Sequence, residues 1–91
     1  MVIQPNVLLL MVDAMRADRT WGSRRSARTP FLDGLVKRST VFTRAFSTAS
    51  ITTVCTTSLL TGCYPFVHGI HSLLSNRLRT DLPTLPELLK A

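Results

Sequence analysis

Asp13 stands directly after a continuous apolar run, residues 6–12 (Asn-Val-Leu-Leu-Leu-Met-Val). In open α/β sheets ligands bind beyond the carboxyl ends of the strands, and a carboxylate there suits a hard divalent cation. The same residue fits a plainer role, a loop aspartate that caps a turn or pairs with Arg16. A second stretch, residues 50–62 (Ser-Ile-Thr-Thr-Val-Cys-Thr-Thr-Ser-Leu-Leu-Thr-Gly), is crowded with hydroxyls. A hydroxyl at a helix N-terminus faces unpaired N–H groups and the positive dipole end, which favour an anion or a developing alkoxide. A metal held by Asp13 would make such a hydroxyl a better nucleophile. Ser and Thr are equally at home as ordinary helix caps that do no chemistry. His68 and His71 are separated by two residues, a spacing that serves metals, but Gly69 between them and the lack of a helical pattern favour a loop or packing role. Cys55 and Cys63 read as small buried groups, and two cysteines cannot build a multi-bridge framework.

The elements that must position these groups alternate in type. Residues 6–12 show no alternation, as in a strand buried on both faces of a parallel sheet, and Pro5 suits its start. Residues 14–28 lose periodicity and read as an Arg- and Ser-rich loop. Thr29 and Pro30 then open a helix, with Asp33 near its positive end and an apolar stripe of Phe31, Leu32, Leu35 and Val36. Residues 40–46 (Thr-Val-Phe-Thr-Arg-Ala-Phe) are β-branched and aromatic, which predicts a second strand. After a polar loop at 47–50, residues 52–61 predict a short helix closed by Gly62. Residues 64–79 read mostly as loop, with Pro65 and Gly69 as breakers. Thr84 and Glu87 form a capping box that opens a last helix carrying Leu85, Leu88 and Leu89 on one face. That helix reaches residue 91 after about two turns with no Gly or Asn to end it. Two strands are too few for a self-sufficient sheet. The pattern predicts an α/β fold, the opening βαβα segment of a larger mixed or parallel sheet sandwiched by helices.

Ninety-one residues suffice for one small domain, and 45% hydrophobic against 18% charged residues is a globular balance. The apolar run at 7–12 falls far short of the ~20 residues of a membrane span, and it lacks the flanks of a signal peptide. The expectation is a chain with no membrane segment, cytoplasmic by default. Eleven Lys and Arg against five acidic residues give a formal net charge of +6. Arg16, Arg19, Arg24, Arg25 and Arg28 concentrate much of it. No aromatic interleaving or recognition-helix pattern accompanies them, so no nucleic acid partner is expected. No motif explains Trp21.

The ordered set of motifs resembles the N-terminal part of the sulfatase family, within the alkaline phosphatase superfamily. The matching stretches are residues 5–13, then Met-Arg-Ala-Asp at 15–18, Thr-Pro-Phe-Leu-Asp at 29–33 and Val-Phe-Thr-Arg-Ala-Phe-Ser at 41–47. They continue with Ser-Leu-Leu-Thr-Gly-Cys-Tyr-Pro at 58–65, His-Gly-Ile at 68–70 and Thr-Leu-Pro-Glu-Leu-Leu at 84–89. The resemblance implies an alkaline-phosphatase-like sheet, incomplete here, so that residues 1–91 form an N-terminal fragment of a sulfatase-type catalytic domain.

The resemblance also implies that Asp13 ligates a divalent cation (Ca, Mg, Mn or Zn). Ala14 stands where many members carry a second acidic ligand. The family signature is Cys or Ser, any residue, Pro, Ser, Arg, three residues, then Leu-Thr-Gly. Counted back from Leu60-Thr61-Gly62, the nucleophile position is Thr52, also a metal ligand by this resemblance, and the Pro, Ser and Arg positions are Val54, Cys55 and Thr56. Sulfatases oxidise the Cys or Ser to formylglycine, an aldehyde that threonine cannot give because its β-carbon carries a methyl group. Thr52 would act directly as an alkoxide, which resembles the phosphodiesterase and phosphotransferase branches of the superfamily. Cys55 fits less well, because Leu-Thr-Gly then falls three residues too early. The implied activity is metal-dependent hydrolysis of a sulfate or phosphate ester. The remaining family ligands lie beyond these residues, so the 91-residue chain is expected to be inactive by itself. The competing class is a short, basic, non-catalytic protein that binds anions, or a decayed remnant of such an enzyme.

Overall fold

The computed structural model describes residues 5–74 and 77–90. Five helices follow one another: α1 (Ala17–Thr20), α2 (Pro30–Val36), α3 (Thr52–Thr61), α4 (Pro65–His68) and α5 (Leu85–Lys90). The chain divides into two compact units, Met1–Val41 and Phe42–Ala91. No helix among the described residues is long and apolar enough to cross a membrane.

The expected βαβα sheet is overturned, because no strand occurs among the described residues. Residues 6–12 and 40–46 carry no ladder. A strand exists only through hydrogen bonds to a neighbouring strand, and a run of apolar residues expresses a need for burial without supplying that neighbour. Leu8 is 89% exposed and Leu10 74%, so the run predicted to be covered on both faces lies open.

In the first unit the predicted helix forms as α2, with Pro30 at its first turn. The Thr29 carbonyl accepts the first helical bond from Asp33 at 2.8 Å. The Thr29 hydroxyl makes no N-cap bond and instead donates to the Asp33 carboxylate at 3.2 Å. That carboxylate also pairs with Arg25. The expected loop at 14–28 contains the single turn α1. Its Asp18 receives two guanidinium N–H bonds from Arg16 at 3.0 and 2.9 Å, and the Thr20 hydroxyl donates back to the Arg16 carbonyl at 2.9 Å. Gly22 follows at close quarters: a Cβ there would lie 2.7 Å from the Asp18 Cα.

In the second unit α3 packs against α4 and α5. Its boundaries match those read from the sequence, and Gly62, in the left-handed region at φ 67°, returns its N–H to the Ser58 carbonyl at 2.9 Å. Within the predicted loop at 64–79, Pro65 starts a one-turn helix and Gly69 (φ 82°) stops it. Residues 75 and 76 of that loop, and residue 91 at the end of the last helix, lie outside the described residues. The capping box forms through its glutamate half: the Glu87 carboxylate receives the Thr84 N–H at 2.7 Å and the Thr84 hydroxyl at 2.8 Å. Leu88 and Leu89 remain 62% and 55% exposed. Among the described residues, the hydrophobic side chains buried outright are Val54 on α3 and Ile70 just after α4.

Candidate functional site

Helix α3 is strapped to the loop that precedes it. Ile51, at its N-cap, is extended (φ −118°, ψ 127°) and accepts the Cys55 N–H at 3.0 Å. The Cys55 thiol donates to the Ala49 carbonyl at 2.8 Å, and the Thr48 hydroxyl donates to Ser58 Oγ at 2.9 Å. Buried Val54 lies four residues before buried Ser58, on the same face of the helix, and turns that face inward. Together these contacts leave Thr52 solvent-exposed at the first position of a ten-residue helix, beside the N–H groups of its opening turn.

The other hydroxyls of the helix are used locally. Thr57 donates to the Thr53 carbonyl at 2.8 Å and Thr61 to the Thr57 carbonyl at 2.7 Å, the back-bonding that hydroxyl residues make inside helices. Val54, Cys55 and Thr56 follow on the helix, so its opening turns carry no guanidinium of their own.

Asp13 lies exposed in a turn and accepts the Ala14 N–H on Oδ1 at 3.0 Å. Ala14 is held in the left-handed region at φ 56°, a conformation that costs a residue with a Cβ roughly 1 kcal/mol. Arg16, the alternative partner weighed for Asp13, is turned onto Asp18. Asp13 belongs to the first unit and Thr52 to the second.

Among the described residues, no group of three or more His, Cys, Asp or Glu side chains is placed to hold a metal ion. A hard cation takes six or more oxygens. These donors therefore do not make a metal site by themselves.

His68 proves to be the most enclosed polar side chain, 0% exposed. Its Nδ1 accepts the Ile70 N–H at 3.1 Å, which leaves the proton of the neutral ring on Nε2, 2.9 Å from Ser58 Oγ. Burial pushes the imidazole below its ordinary value of 6.5, and the nearby His71 charge pushes in the same direction. No buried side-chain nitrogen or oxygen among the described residues lacks a partner. The sequence could show His68 as a packing residue, but a partner ten positions earlier follows no helical or strand period, so Ser58 and Thr48 carried no signal.

Comparison with known proteins places the chain in a family. Residues 5–91 match the family model described as Sulfatase. Over 68 residues the chain is 35% identical to a protein named Ulvan-active sulfatase from Formosa agariphila, a match covering 74% of this chain and 13% of that protein. No solved structure matches. The chain belongs to the sulfatase family.

Proposed function

We propose that this chain carries part of the centre of a sulfate ester hydrolase, with Thr52 as the nucleophile and Asp13 as one ligand of the divalent cation that the family generally uses. The observation that carries the reading is the placement of Thr52. It is an exposed hydroxyl at the opening turn of α3, at the nucleophile position counted from Leu60-Thr61-Gly62. In-line displacement at sulfur forms a bond from Thr52 Oγ as the bond to the leaving alcohol breaks; the Thr52 proton ends on that alcohol, and water then hydrolyses the sulfated threonine to release sulfate and restore the hydroxyl. Charge on the transferring oxyanion is favoured by the helix N–H groups and dipole. A phosphate monoester offers the same tetrahedral geometry with up to one more negative charge, so both ester classes belong in the assay. Because the match spans 13% of the curated relative's length, the activity proposed is that of the whole enzyme. The 91-residue chain, with its incomplete donor set, turns nothing over alone.

The anion-binding alternative loses support from the ion pairs. Arg16, Arg25 and Arg79 are each turned onto an aspartate of this chain, Asp18, Asp33 and Asp81. The test begins with the intact mass of the native gene product, then assays that product against sulfate and phosphate monoesters. Thr52→Ala should lower kcat by about 10³-fold or more without unfolding the protein. Full activity in Thr52→Ala sinks the nucleophile assignment. Neutralising Arg24, Arg25 and Arg28 should leave hydrolysis intact.

A further inference from the structure

Thr48, Ser58, His68 and Ile70 form one string of hydrogen bonds through the second unit. The Thr48 hydroxyl reaches Ser58 Oγ at 2.9 Å, Ser58 Oγ lies 2.9 Å from His68 Nε2, and His68 Nδ1 takes the Ile70 N–H at 3.1 Å. The string joins the loop before α3, the second turn of α3, the end of α4 and the residue beyond Gly69. Ser58, His68 and Ile70 are all buried. Both ring nitrogens are committed, one as acceptor and one as donor, which only a neutral imidazole allows.

We propose that this string is an acid-released latch: neutral His68 fastens α4 and Ile70 to α3, and protonation of the ring undoes the fastening. A proton on Nδ1 would point at the Ile70 N–H, setting two donors against each other in a site closed to water. The imidazolium would also be buried without a counter-charge.

The surroundings supply no anion for it. Residues 42–91 hold two carboxylates, and both are engaged: Asp81 by Arg79 and Glu87 by Thr84. The thiol of Cys55 on α3 is turned to Ala49, and that of Cys63 after α3 to the Thr61 carbonyl. Lys90 on α5, Arg44 before α3, and Arg77 and Arg79 beyond Gly69 add only positive charge, and His71 acts directly against protonation. The ring's folded value lies below its unfolded value of 6.5, so the latch contributes fully above pH 6.5. Its contribution is lost as pH falls from there towards the folded value. The latch stands on residues separate from Asp13 and Thr52 and holds whether or not the hydrolase reading does.

The test uses the full 91-residue chain labelled with ¹⁵N. Ring nitrogen shifts from pH 8 to pH 4 report the tautomer and titration of each histidine, and hydrogen exchange reports protection of the Ile70 amide. The expected result is an Nε2–H tautomer for His68 at pH 8. Once corrected for the intrinsic rate, the opening of Ile70 should rise by up to about tenfold per pH unit below 6.5 until the ring is charged. His71→Ala should keep this transition. His68→Gln should abolish it, and if that variant does not fold, the wild-type ring titration decides alone. An Nδ1–H tautomer, titration of His68 at or above 6.5, Ile70 protection indifferent to that titration, or no folded amides at pH 8 would each overturn the latch.

Discussion

The hydroxyl of Thr48 donates to the hydroxyl of Ser58 at 2.9 Å, tying the loop ahead of α3 to the second turn of the helix. Because Ser58 Oγ is also the partner of buried His68, the two ends of this bond are not energetically equal. Thr48→Val removes one donor and should cost about 0.5–1.5 kcal/mol. Ser58→Ala strands the His68 Nε2–H in a closed site and should cost about 1–3 kcal/mol. Urea unfolding of the two variants checks the order. Equal costs would mean that His68 finds another acceptor when Ser58 is lost.

Two glycines separate backbone strain from space. A Cβ at either Gly62 or Gly34 would meet nothing within 4 Å, but Gly62 sits at φ 67° whereas Gly34 lies inside α2. Gly62→Ala should therefore destabilise by about 1–2 kcal/mol through conformation alone. Gly34→Ala should stabilise by about 0.5–1 kcal/mol, because alanine loses less backbone freedom in a helix. Opposite shifts of the thermal midpoint are the expected outcome.

These local devices were the legible part of the fold. Pro30, Gly62 and the Thr84–Glu87 pair act within a few residues of themselves, so their types and spacing predict α2, α3 and α5 directly. The turn α1 escaped because it rests on the Arg16–Asp18 pair and the Thr20 back-bond, which leave no apolar period. The turn α4 escaped because Pro65 and Gly69, read as breakers, are a start and a stop placed four residues apart. Residues 6–12 and 40–46 form no strand for a deeper reason: composition reports a preference for a pleated, covered surface, and pairing depends on a partner strand. The candidate site divides in the same way. Position after an apolar run points to Asp13 and the motif count to Thr52, while the Ser58–His68 contact exists only in the folded chain.

The last helix carries its own pH dependence. The N–H and hydroxyl of Thr84 hold the Glu87 carboxylate below its ordinary value of 4.5. A folded value below the unfolded one means that the cap contributes fully above pH 4.5 and is lost as pH falls through the folded value. Exchange of the Thr84 amide, corrected for its intrinsic rate, should stay slow from pH 7 to pH 5 and accelerate below that. In Glu87→Ala it should be fast throughout, with α5 frayed at neutral pH.

Metal addition asks how far Asp13 goes alone. Its carboxylate is exposed and already accepts the Ala14 N–H, and no group of three or more acidic, thiol or imidazole side chains among the described residues is placed to hold a metal. A ligand present at 100 times its Kd stabilises a fold by about 2.7 kcal/mol, so a site with a Kd of about 10 μM would raise the thermal midpoint visibly at about 1 mM cation. For the 91-residue chain the expected shift with Mg²⁺ or Ca²⁺ is zero, in the wild type and in Asp13→Ala alike. In the native gene product the proposed hydrolase centre predicts a shift that Asp13→Ala diminishes. A shift in the short chain that Asp13→Ala removes would show that these residues gather a coordination shell of their own, and the expectation that the chain alone is inactive would fall with it.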